Sequence, residues 1–443
     1  MAADGLRAYL IVWTGQFVSL LGSSLSGFAL GVYVYQLTGS ATQLGAVFAL
    51  GLLPSVLALP FAGALVDRWG SRRALLSAGT GNMAVTAVLA ALLVTDTFAV
   101  WHVYLVVTAF SLLGALSLPA FSALAPALVP QRHLGRTNGL RILAFAFAEV
   151  LSPLAAGVLL LAVGIEGLVL LDVVSFGVAV VTLLLVRLPH IRPAPEDAGR
   201  PPALLAEFRQ GWRYVAARRG LLALLGFLAA VSFAGGFIDL LIRPLVLAFA
   251  SPEALGTVMT CGGAGMLVAG GAMSLWGGPR RRVPALLAAS PVLVAATFLG
   301  SARPEIVPVS IAAFLFMGAM GVILALDQGI WQSKVEQHMM GRAMAVHHIV
   351  AAVPQIVAYG LAGVAADRVF EPLLARAPGL SALVGHGTGR GAALLLMATG
   401  VLIAVSAVVA ALHPRLRRLE DDLPDIVRPE PGEAEARAAA AGA

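Results

Sequence analysis

The sequence predicts an all-α integral membrane protein, with twelve transmembrane helices arranged as two pseudo-symmetric halves of six. Three observations carry this reading. Of the 443 residues, 59% are hydrophobic and only 12% are charged, about half the charge of an ordinary soluble domain. The apolar residues come in runs long enough to cross a bilayer, which takes roughly 20 residues. The arginines gather in short clusters between those runs. A soluble chain this apolar lacks the polar surface to meet water, so much of its surface must meet lipid.

Each element follows in order. Arg7 is the only basic residue before the first apolar run, which extends to about Gln36. That is too long for a signal-peptide core, and no small-residue cleavage site follows it, so it is expected to be a retained membrane helix. The first six spans fall at 9–36, 43–66, 74–94, 101–126, 138–163 and 167–187. Six more fall at 221–249, 254–277, 283–300, 305–327, 343–365 and 389–412. Hydropathy finds such spans because backbone polar groups in lipid must be satisfied within the helix. The expected domains are a first half over 1–187, a central loop over 188–219, a second half over 220–412 and a disordered polar tail over 413–443. Within the loop, Leu205, Phe208, Trp212 and Val215 recur at helical spacing among arginines. That pattern suits an amphipathic helix on an anionic membrane surface, or a solvated linker helix.

With the N-terminus in the cytoplasm, 24 of the 29 Lys and Arg residues fall on the cytoplasmic side. The other five are Arg243, Arg303, Arg368, Arg376 and Arg390. The positive-inside rule therefore predicts a multi-pass protein of the plasma membrane with both termini cytoplasmic.

Composition also excludes function classes. Cys261 is the only cysteine, which rules out an intrachain disulfide or a cysteine-based metal site. Lys334 is the only lysine and follows Gln332-Ser333, so no phosphate-binding P-loop is present. No nucleophile–base set appears. The expectation is a protein that is not an enzyme, holds no metal or cofactor and binds no nucleic acid. Its net charge of +6 is better read as membrane orientation. Its partners would be lipid, a small-molecule substrate and protons, and it would act as a monomer.

The strongest local pattern lies between spans two and three: Gly63-Ala64-Leu65-Val66-Asp67-Arg68-Trp69-Gly70-Ser71-Arg72-Arg73. Gly63 permits close helix packing. Asp67 sits where it can accept hydrogen bonds from another helix's N-terminus. Gly70 permits a tight turn, and Arg68, Arg72 and Arg73 face the cytoplasm. The stretch resembles the loop signature G-x-x-x-D-R-x-G-x-R-R of the major facilitator superfamily. A degenerate copy, Trp276-Gly277-Gly278-Pro279-Arg280-Arg281-Arg282, follows span eight, as expected of two halves derived from one unit. Gly363-Val364-Ala365-Ala366-Asp367-Arg368 is also similar, but parity puts it on the opposite side, and it is given no role.

Thr38-Gly39-Ser40, Gly341-Arg342 and Ala366-Asp367-Arg368-Val369-Phe370-Glu371-Pro372 further resemble the enterobactin-exporter and macrolide-efflux branch. The resemblance implies a proton-driven exporter of a hydrophobic or amphiphilic small molecule such as a drug, siderophore or secondary metabolite. It also implies that two six-helix halves rock about a central cavity, with the signature around Asp67 latching them when the cavity opens outward. The chain departs from drug antiporters in two places. Ser152-Pro153 stands where many have Gly-Pro, and residues 103–126 hold no arginine. A proton-coupled metabolite importer on the same fold is the alternative, and a non-transporting sensor a more distant one.

Ionisable residues inside spans are functional candidates by default. Glu149, at the middle of span five, is a candidate proton carrier or a satisfied structural acid. Asp239 and Arg243 share a face of span seven as a gate or structural pair, with Asp239 also a proton-coupling candidate. Asp327, at the inner end of span ten, is a third. Asp172, in a peripheral span, is expected to have a structural partner. Gln355 is read as helix glue, and His347 and His348 point to different faces.

Overall fold

In the computed structural model, the described residues are 2–129, 134–186, 204–376 and 389–424. The principal helices are α1 (Ala2–Thr38), α2 (Ala41–Trp69), α3 (Ser71–Val94), α4 (Val100–Leu128) and α5 (Leu134–Leu185). After the central segment come α6 (Leu204–Ala217), α7 (Arg219–Leu247), α8 (Pro252–Trp276), α9 (Arg282–Ala302), α10 (Ile306–Lys334) and α11 (Gln337–Ala365). A π-helical turn (Ala366–Phe370), α12 (Glu371–Arg376), α13 (Arg390–Leu412), α14 (Pro414–Arg417) and α15 (Leu419–Asp422) complete the described chain.

Eleven helical segments are long and apolar enough to cross a membrane. One of them, Gly139–Leu185, has 47 residues, about two crossings. It breaks at Gly164, whose φ of 70° and ψ of −178° suit only glycine. Counting it as two gives the twelve expected crossings. The other turns are equally local. Gly39 at φ 63° ends the first crossing, and Ser40 accepts from the Gln43 N–H at 3.3 Å to start α2. Gly70 at φ 80° turns α2 into α3.

An even number of crossings brings both ends of the described chain to one end of the bundle, the terminal end, together with α6 and the Gly70 turn; opposite it is the far end. Five apolar cores organise the described residues. Three lie within single halves. The two that join the halves both lie toward the far end. One packs Ala41 and Leu44 of α2 against Leu240, Leu241 and Tyr359. The other packs Phe28, Val32 and Ala156 against Val246, Leu255 and Val258. Toward the terminal end, Phe145 of α5 is exposed to a space between the halves bordered by Arg141 and Ser274. The halves are therefore closed together at the far end and parted at the terminal end.

Two expectations need correction. Residues 413–424, expected to be disordered, pack onto the second half instead: Leu416 and Leu419 are fully buried, and the Glu420 carboxylate accepts from the Arg282 N–H at 2.7 Å. Two apolar side chains and a helix N-terminus hold this short segment. Residues 425–443 lie outside the described residues. Asp327 is not at a helix end, because α10 runs on to Lys334. The amphipathic stretch forms α6, where Gly211 fits against the Arg342 carbonyl and Val215 is buried while Trp212 points outward.

Candidate functional site

A cavity of about 1120 Å³ lies between the halves and runs toward the terminal end, where Arg141 and Ser274 border it. Its walls are mostly apolar, including Phe145, Ile242, Met259, Phe316 and Met317. Two carboxylates line it, Glu149 from the middle of the first crossing of α5 and Asp239 from α7. Glu149 is exposed to this space and makes no hydrogen bond to another described residue. The sequence-expected acids Glu149 and Asp239 are thus brought to one chamber from opposite halves.

Asp239 anchors a network on the far-end side. Arg243, one turn along α7, donates from Nη1 to Asp239 Oδ1 at 3.2 Å and also to the Asp239 carbonyl. The Tyr359 hydroxyl of α11 donates to Asp239 Oδ2 at 2.6 Å, and Gln355 Nε2 donates to that hydroxyl at 2.8 Å. The Arg243 guanidinium lies over the Phe48 ring of α2 at 4.4 Å, a cation–π contact. Phe48 meets Tyr359 edge-on, with ring centroids 5.3 Å apart. The Asp239–Arg243 pair therefore ties α7, α11 and α2 together, and α2 belongs to the other half. The sequence reading saw the Asp239–Arg243 pair and Gln355 but missed Tyr359. The Gln355-x-x-x-Tyr359 spacing, which puts both on one helical face, was the available signal.

Above this network sits the stretch to which the sequence reading gave no role. The Asp367 carboxylate accepts from Ser40 Oγ at 2.8 Å, Thr42 N–H at 2.9 Å, Thr42 Oγ1 at 2.7 Å and Ala41 N–H at 3.2 Å. It caps the N-terminus of α2 across the two halves, where the free N–H groups and the helix dipole favour an anion. Gly363 allows the approach, since any Cβ there would run into the Ala41 backbone. Gly45 does the same against the Tyr359 carbonyl. On the other side of the cavity, Gly157 and Gly256 bring α5 and α8 into backbone contact, and Thr260 Oγ1 donates to the Val150 carbonyl at 2.8 Å.

The signature residues sit at the parted terminal end. Gly63, expected to permit close packing, has open space where a Cβ would stand. The physical reason is that the opposing half is drawn away at this end. Gly70 makes the expected turn, donating its N–H to the Val66 carbonyl at 2.8 Å. Arg68 and Arg73 are exposed and Arg72 is half-buried. The side chain of Asp67 lies outside the described residues. In α8, Gly262, Gly263 and Gly265 meet neighbours, while Gly270 and Gly271, nearer the terminal end, meet none.

The remaining acids are separate. Asp172 is buried and accepts from Ser23 at 3.2 Å and Ser175 at 3.0 Å, as expected of a structural acid. Asp327 does not line the cavity. It pairs with His347, a partner the sequence reading did not assign, at 2.7 Å.

The family model of the Major Facilitator Superfamily matches residues 12–359. A macrolide efflux protein A from Streptococcus pyogenes is 24% identical over 370 residues, covering 82% of this chain and 90% of that protein. The enterobactin exporter EntS from Citrobacter koseri is 28% identical over 209 residues, 46% of this chain and 48% of that protein. In fold, the chain is similar to a bacterial homologue of the human lysosomal transporter Spinster. The TM-score is 0.70 at 15% identity, covering 96% of this chain and 99% of the other.

Proposed function

The chain belongs to the Major Facilitator Superfamily and is a multi-pass membrane transporter of small molecules, and we propose that within this class it is a proton-coupled exporter of bulky, amphiphilic compounds working by alternating access. The observation that carries the reading is the cavity itself. At about 1120 Å³ it exceeds the usual ligand-pocket range of roughly 300–1,000 Å³. Its apolar walls suit a large hydrophobic solute. Its relatives include a macrolide efflux protein and an enterobactin exporter, both named for bulky substrates. The arginine distribution favours the cytoplasm for the terminal end, so the conformation is open inward, ready to load cargo from inside.

In this reading Glu149 carries the coupling proton. It faces the chamber without a hydrogen-bonding partner among the described residues, so proton and substrate can compete for its carboxylate. Asp239, held by Arg243 and Tyr359, serves the gate more than the proton. Asp367 holds the outer end shut. The signature around Gly63, Asp67, Gly70 and Arg73 latches the inner end in the opposite state.

The test is efflux of a labelled macrolide from proteoliposomes under an imposed pH gradient. Glu149→Gln is expected to abolish gradient-driven efflux while leaving macrolide binding in detergent measurable. Driven efflux at the wild-type rate in that variant would remove Glu149 as the carrier.

A further inference from the structure

Asp327 and His347 are both buried, at 1% and 7% exposed. They face each other from α10 and α11 at a point well inside both helices. His347 Nε2 lies 2.7 Å from Asp327 Oδ2. The His347 ring meets Trp331 edge-on, with centroids 5.0 Å apart. Trp331 follows Asp327 by one turn, so both project from the same face of α10. Three polar atoms in this cluster are buried without a protein partner among the described residues: Asp327 Oδ1, His347 Nδ1 and Trp331 Nε1. Such atoms are uncommon in folded proteins and each calls for an explanation.

The bond direction supplies one. With Asp327 ionised, its carboxylate only accepts, so Nε2 carries hydrogen and donates to Asp327. That fixes the neutral tautomer and leaves Nδ1 with its lone pair free. A proton from water entering at the terminal end can bind Nδ1 without breaking the Nε2–H to Oδ2 bond. The imidazolium formed is balanced by the carboxylate already beside it. We propose that His347 is a proton-binding site distinct from Glu149, with Asp327 as the residue that orients its ring and balances its charge. This deepens the proton-coupled reading, which rests on Glu149, and it moves the proton from Asp327, the acid the sequence suggested, to its neighbour.

Few other charges reach the couple. His348 is adjacent, with ring centroids 5.4 Å apart, and is exposed. Arg342 precedes it on α11 and Lys334 follows on α10. From α9, Arg282 is spent on the Gly329 carbonyl at 2.8 Å and Ser333 Oγ at 2.7 Å. Residues 221–236 of α7 and 262–276 of α8 contain no ionisable side chain.

Trp331 provides a readout that needs no substrate, because an imidazolium quenches a neighbouring indole. The experiment is a fluorescence titration of the purified full-length protein in detergent, from about pH 8 to about pH 5. The wild type minus Trp331→Phe difference isolates the Trp331 signal from the other five tryptophans. That signal is expected to fall on acidification. The fall should be lost in His347→Gln, displaced in Asp327→Asn, and kept in His348→Gln and Glu149→Gln. A fall that survives His347→Gln, or a wild-type signal that does not titrate, overturns the site. So does loss of the fall in Glu149→Gln, which would merge the two sites into one. Failure of macrolide efflux with the titration intact would instead count against the exporter reading alone.

Discussion

The chain carries the pattern G-x-x-x-D-R twice at helix ends facing opposite sides, as Gly63 to Arg68 at the end of α2 and Gly363 to Arg368 at the end of α11. In one conformation the two behave differently. Around Gly363 the helices touch at the backbone and Asp367 caps α2. Around Gly63 nothing approaches. The pattern therefore supplies the parts of a latch, a glycine for close approach and an acid for a helix N-terminus. Which copy is engaged depends on which end of the bundle is shut. The two-fold relation between halves makes the reciprocal arrangement natural: the end of α11 grips the start of α2 in this state, and the end of α2 would grip the start of α11 in the other.

The comparison breaks most sharply at Gly363. Gly363→Leu would drive a side chain into the Ala41 backbone, which cannot yield as a side chain can. Overpacking of this kind costs about 1–3 kcal/mol. The far-end-closed population should drop by up to about a hundredfold, read as faster labelling of a cysteine at Thr42 in a Cys261→Ala background. An unchanged labelling rate would mean that the contact does not set the equilibrium.

Asp367→Asn should follow. It leaves the packing intact but weakens the bonds to Ser40, Ala41 and Thr42. A charged hydrogen bond is worth roughly 1.5–3 kcal/mol, and an interaction present in one state shifts the equilibrium by its full differential energy. The same labelling should rise about tenfold or more. Asp367→Glu, which keeps the charge, should restore part of the difference, and no recovery would point to shape rather than charge.

Tyr359→Phe removes one donor to Asp239 and leaves Arg243 in place. A hydrogen bond to a charged group contributes about 1.5–3 kcal/mol, but this one joins two helices of the same half and Arg243 still holds Asp239, so far-end labelling should rise only about twofold to tenfold. A larger effect would make Asp239, not Asp367, the main tie.

Asp67→Asn should change far-end labelling least, because no described residue meets the neighbouring Gly63 in this state, while transport slows through loss of the opposite state. If it exposes Thr42 as strongly as Asp367→Asn, the two copies are not reciprocal.

Much of this was legible in the sequence. Apolar runs give the crossings because lipid leaves the backbone no other partner, and arginine clusters give the alternation of sides. Glu149 and Asp239 stood out because charge is costly at mid-membrane. What sequence could not supply was pairing between distant helices. His347 and Tyr359 look ordinary until α11 sets them beside Asp327 and Asp239. Parity puts Asp367 on the side where the signature is not expected, yet an acid can cap a helix at either end of a bundle. The polarity of 413–424 hides Leu416 and Leu419, whose burial depends on α7 and α9.

The central claim is that one end closes as the other opens. The direct test is a pair of spin-label distances in the Cys261→Ala background. Arg73→Cys with Gly341→Cys spans the terminal end, and Leu37→Cys with Val369→Cys spans the far end, all at exposed positions. On adding Asp367→Asn, the terminal-end distance is predicted to shorten while the far-end distance lengthens. Distances that move in the same direction, or a far end that parts while the terminal end stays wide, would contradict a single rocking motion between two reciprocal latches.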